Sequence, residues 1–97
     1  MPDNERLFLM EHKDTYYIPD IDDHSDHRIR QIISDRVGDE FDGLCTVHPM
    51  LFDKTGTEEH DYRISCTVIL QFPDTLSVNK FKIKFMSHLD NIVEIKS

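Results

Sequence analysis

A chain of 97 residues with a formal charge of -8 is read as one domain over residues 1–97, able to bury roughly 60 to 65% of its unfolded surface around a single core. No apolar run approaches the ~20 residues that a membrane span requires, and the opening MPDNERLFLM is too acidic and too briefly apolar for a secretory signal, so a soluble intracellular protein is expected. The charge is uneven: residues 1–62 hold 16 acids against 6 Lys and Arg, while residues 63–97 hold 3 against 5, so most of the surface repels a phosphate backbone and direct nucleic-acid binding is not expected.

In chain order, Arg6 to Met10 (RLFLM) and Thr15 to Ile18 (TYYI) read as two strands or extended segments near a sheet edge, the second stopped by Pro19. PDIDDH is an acidic turn. From Ser25 the period changes, and Ile29, Ile32, Ile33 and Val37 fall on one helical stripe. The helix is predicted over about 25 to 37, with Ser25 as N-cap, Asp26 at the positive end of the dipole and Gly38 as a left-handed stop. Gly43 to Val47 reads as a strand ended by Pro49, and DKTGTEEHD as a polar excursion with Gly56 at its tip. Tyr62, Ile64, Cys66, Val68 and Leu70 alternate with Arg63, Ser65, Thr67 and Ile69, which predicts a long central strand with one apolar face.

The last segment carries two periods. Lys80 to Phe85 alternates as a strand does, yet Val78, Phe81, Phe85, Leu89 and Ile92 follow helical steps of three and four. Length and the absence of Gly or Pro after Asp74 favour a helix, capped by Asp74 or Thr75. The fold class expected is α+β, a small mainly antiparallel sheet covered by two helices, the second long and C-terminal. Ile83, Met86 and Val93 lie off its stripe, and that surplus apolar surface points to a partner protein.

Few constellations could carry chemistry. Cys45 and His48 stand three apart, the minimum for a thiolate with an imidazole, but on a strand they face opposite ways. His24 and His27, beside Asp22, Asp23 and Asp26, could hold a metal only with a third ligand from Cys45, His48, His60 or Cys66 at no informative spacing. Cys45 and Cys66 read as buried thiols rather than a disulfide. Acids at 39, 40 and 42 and at 58, 59 and 61 flank turns, where charge serves solvation, and Lys80, Lys82 and Lys84 read as the wet side of the last helix. No catalytic, cofactor-binding or metal-binding residue is assigned.

Asp23-His24-Ser25 before a helix, then Phe41-x-Gly43 followed by His48-Pro49, then a long strand and a C-terminal helix, resembles the small α-like subunit of archaeal and eukaryotic RNA polymerases. The opening PDNERLFLMEHKD is similar to the eleventh subunit of RNA polymerase II within that family, of which this chain resembles a divergent member. The resemblance implies a non-catalytic, nuclear subunit without cofactors. It implies heterodimerisation with the larger α-like subunit and, through it, assembly of the large catalytic subunits. It further implies that the stripes Ile29, Ile32, Ile33, Val37 and Phe81, Phe85, Leu89, Ile92 supply core and heterodimer interface together. Two other classes fit the charge and the histidines: an acidic inhibitor imitating nucleic acid, and a small metal-binding module through His24, His27 and a cysteine.

Overall fold

Alternation of large apolar with polar side chains decides the layering. The structure, a computed structural model, describes residues 5–19, 21–56 and 61–95. It comprises β1 (Arg6–Tyr17), α1 (Asp26–Glu40), β2 (Thr46–Gly56), β3 (Asp61–Phe72), α2 (Thr75–Lys84), a 3-10 segment (Met86–Asn91) and β4 (Ile92–Glu94). Among the described residues the strands form one sheet, ordered β2-β3-β1-β4, with every pairing antiparallel. β1 and β3 pair without interruption from Arg6↔Phe72 to Tyr17↔Asp61. That register puts Phe8, Met10, His12 and Tyr16 beside Ile64, Cys66, Val68, Leu70 and Phe72 on one buried face. α1 and α2 cover this face, and among the described residues the other face is open.

α1 forms as its stripe requires. The Ser25 hydroxyl accepts from the Arg28 amide at 3.2 Å, and Ile29, Ile33 and Val37 are fully buried on the sheet. Its end differs from the expectation. Gly38 is not a stop but an interior helical residue, and the chain turns at Asp42 (φ 58°) and Gly43 (φ 70°). The Gly43 amide donates to the Gly38 carbonyl at 2.9 Å and the Asp42 amide to the Asp39 carbonyl at 3.1 Å, the bond pair of a Schellman ending. The left-handed residue of that motif is therefore Asp42, and Gly43 follows it because the next backbone position also needs positive φ.

Other sequence expectations shift for identifiable reasons. The two N-terminal segments are one strand, because β3 is long enough to pair all of it. Pro49 does not end β2. It lies on an edge strand, where its missing amide costs no ladder bond, beside a bulge between Pro49 and Phe52. The supposed loop residues Asp53, Lys54, Thr55 and Gly56 belong to β2, paired with Ser65 to Tyr62, and residues 57–60, including His60 and the acids at 58 and 59, lie outside the described residues.

The largest correction concerns the C-terminus: the second helix is short, not long and C-terminal. α2, capped by the Asp74 carboxylate on the Ser77 amide at 2.8 Å, ends at Lys84, and Phe85 leaves helical geometry (φ -121°, ψ 42°). Phe85 packs edge-on against Phe41 at 5.1 Å between ring centres. The 3-10 segment then turns the chain so that Ile92 to Glu94 add to β1 as an edge strand. Arg6 clamps that strand through a bidentate pair with Glu94, both bonds 2.9 Å, and β-branched Ile92 and Val93 suit it better than a helix.

A methyl group on Gly38 would meet nothing within 4 Å, whereas one on Gly43 would sit at positive φ. Urea denaturation should therefore show Gly38→Ala stabilising by about 0.5–1 kcal/mol and Gly43→Ala destabilising by about 1–2 kcal/mol.

Candidate functional site

The segment from Phe41 to Pro49 divides between the two faces of the sheet. Phe41, Cys45 and Val47 are buried, and Thr46 and His48 are exposed. Burial pushes the Cys45 thiol up to about 11, so it stays protonated and apolar. His48 turns away from it and shares a 2.7 Å hydrogen bond with the Gln71 side chain on the open face. The two are not brought together, and both cysteines are free thiols.

At the entrance to α1, the Asp23 carboxylate accepts from the Ser25 amide at 2.9 Å and from its hydroxyl at 3.0 Å, and these bonds hold its pKa below the ordinary value. His24 is a clamp. Its Nε2 donates to the Pro19 carbonyl at 3.0 Å and its Nδ1 accepts from the Tyr62 hydroxyl at 2.9 Å, tying the loop to the start of β3. Both ring nitrogens are thus occupied by protein partners, while His27 is exposed on the first turn of α1. Among the described residues no group of three His, Cys, Asp or Glu converges as a metal site requires.

Of the stripes read as core and interface, Ile29, Ile33, Val37 and Phe81 are at most 2% exposed within this chain's own core, and Ile32, Phe85, Leu89 and Ile92 pack against it, partly buried. Apolar surface lies elsewhere. On the open face, β1 and β3 place Leu9 opposite Ile69, β1 and β4 place Leu9 opposite Val93, and the Ile95 amide bonds the Leu7 carbonyl at 2.8 Å. Leu7, Leu9 and Ile95 are 36 to 38% exposed and Val93 is 66% exposed. This cluster spans three strands at one end of the sheet. The rest of that face carries Glu11, Lys13, Thr15, Tyr17, Arg63, Ser65 and Thr67, so the apolar end passes into a mainly polar one. Sequence reasoning missed it, although the unbroken run Leu7-Phe8-Leu9-Met10 is apolar in both strand phases, the pattern of a strand covered on both faces.

A second exposed area follows the outside of α2, where Leu76, Ile83 and Met86 face solvent with Lys80, Lys82 and Lys84. Lys82 and Lys84 complement the negative end of the helix dipole, and Lys84 pairs with Asp42.

One buried polar pair sits between sheet and helix. His12 Nε2 and the Tyr16 hydroxyl share a 2.7 Å hydrogen bond, and the Arg36 guanidinium lies 3.6 Å over the Tyr16 ring. Burial lowers the His12 pKa from 6.5, against the opposing charges of Asp14 and Glu40, and burial likewise pushes Tyr16 up to about 12. The pair is neutral near pH 7. Each group is the other's hydrogen-bond partner in a buried setting, which is the chemistry of a satisfied core contact.

No family model matches this chain, and no curated protein or solved structure matches it significantly.

The buried pair fixes the sign of a pH effect. The unfolded chain protonates His12 first, so its contribution is complete above pH 6.5 and declines as pH falls from there; Tyr16 contributes fully below pH 10.0 and declines as pH rises toward 12. Urea midpoints across pH 5 to 11 should show both limbs, and both should flatten in His12→Phe/Tyr16→Phe. Tyr16→Phe alone should cost about 1–3 kcal/mol, because it strands the buried imidazole.

Proposed function

We propose that this chain is a non-catalytic subunit of a DNA-directed RNA polymerase, the small partner of a larger α-like subunit, acting in the nucleus as part of the platform on which the catalytic subunits assemble. The observation that carries the reading is the open apolar end of the sheet, Leu7, Leu9, Ile69, Val93 and Ile95. An apolar end on the second face of a sheet calls for a second layer there, and α1 and α2 lie on the first face. The residues of the family pattern support it by the kind of work they do. His24 clamps a loop, Phe41 fills the junction of α1 with α2, Gly43 follows a left-handed turn, and Pro49 sits by an edge bulge. Such tasks build a scaffold rather than a reaction site.

The partner surface in this reading differs from the helix stripes. Ile29, Ile33, Val37 and Phe81 hold the domain together, and Leu7, Leu9, Val93 and Ile95 meet the larger subunit. Co-expression with candidate α-like subunits, affinity capture and mass spectrometry test this. The expected result is a stable stoichiometric complex with an α-like subunit that survives high salt, as an apolar contact does. Leu9→Asp or Val93→Asp should abolish capture by at least tenfold in recovered partner while leaving the isolated fold intact by circular dichroism, since both residues already face solvent. Recovery of no polymerase subunit, or capture unaffected by both substitutions, contradicts the proposal.

A further inference from the structure

The outer side of α2 combines exposed apolar side chains with lysines. Between α2 and the Asp42–Leu44 turn lies a groove of about 400 Å³, lined by Asp42, Leu44, Lys80, Ile83 and Lys84, with a mainly apolar wall. That volume admits one or two large side chains. Ile83 is 77% exposed at its lip, and Leu76, two helical turns before Ile83 on the same side, is 61% exposed. The groove's only carboxylate, Asp42, is paired with Lys84. No acid occurs from Thr75 to Leu89, while Lys80, Lys82 and Lys84 are all exposed, in a chain of net charge -8.

We propose that this groove is a docking site for an acidic amphipathic segment of a partner protein, a helix that presents two apolar side chains to Leu44 and Ile83 and a carboxylate to Lys80. The charge distribution selects this occupant. An acidic ligand is repelled by most of the acid-rich stretch 1–62 and attracted to the lysines of α2, which steers it to the groove. The apolar wall supplies the anchor, and the aliphatic stem of Lys80 extends it. Single-stranded nucleic acid is a poorer fit, since base stacking needs exposed aromatic rings and Phe81 is buried beneath α2. The site is separate from the open sheet face and does not depend on it.

The test is a fluorescence-anisotropy titration of the full chain with a labelled helical peptide carrying leucines at i, i+4 and i+7 and glutamates on both flanks. Binding is expected, weakened roughly tenfold or more by Ile83→Glu, which removes one anchor worth about 1.4 kcal/mol. Lys80→Glu and added salt should each weaken it severalfold, with circular dichroism unchanged in both variants. Leu9→Asp should leave this titration unmoved while abolishing capture of an α-like subunit, so the two readings fail independently. Equal affinity for the same peptide with lysine in place of glutamate, indifference to Ile83→Glu, or tighter Lys80-dependent binding of single-stranded DNA or anionic vesicles would each overturn the assignment.

Discussion

The Phe41 ring holds the structure together at the point where its layers meet. It is fully buried at the exit of α1 and touches Phe81, Phe85 and His88 edge-on at 4.9, 5.1 and 5.2 Å between centres. Phe81 continues the series to Phe72 on β3 at 5.1 Å, and Phe72 to Phe8 on β1 at 5.3 Å. Edge-to-face pairs add about 0.5–1.5 kcal/mol each beyond burial, so this chain of rings is a substantial share of the roughly 5–15 kcal/mol that separates folded from unfolded small domains. It also dictates connectivity. Phe85 reaches Phe41 by leaving the helix, and α2 therefore ends where it does. The turn this creates delivers Ile92 to Glu94 to the sheet edge, where Arg6 and Glu94 lock them.

Function in this account follows from one-sided layering. The aromatic chain and the α1 stripe draw α1 and α2 to the same face of the sheet, and among the described residues nothing covers the apolar residues of β1, β3 and β4 on the opposite face. Single exposed leucines are ordinary on a protein surface, but a contiguous group across three neighbouring strands supports the interface proposed there. The buried thiols and the buried His12–Tyr16 pair, by contrast, are neutral and satisfied.

Much of this was legible in the residues. The α1 stripe and Ser25 cap, the α+β class, the central position of β3, the opposed directions of Cys45 and His48 and the Asp74 cap all follow from periodicity and local hydrogen bonding. The length of α2 was not, because Phe81, Phe85, Leu89 and Ile92 satisfy a helical period over a stretch that tertiary contact breaks at Phe85. Periodicity records which side chains need burial and not whether one straight element can bury them all. The stop of α1 was misread at Gly38 because a glycine signals permission for a left-handed turn, not its location, and Asp42 takes that position instead. The open-face cluster was hidden by reading β3 as two-toned, with Ile69 counted among its polar residues. The two-phase apolar run at Leu7 to Met10 and the β-branched Ile92-Val93 were the signals that locate it.

The central claim is that the apolar end of the open sheet face is a protein interface. Hydroxyl-radical footprinting of the chain alone and in its co-purified complex reads that surface side chain by side chain. Strong protection of Leu7, Leu9, Val93 and Ile95 is expected in the complex, with Tyr17 at the far end of β1 little changed. Equal labelling of those four residues in both states, with protection confined to the helical side, would contradict it.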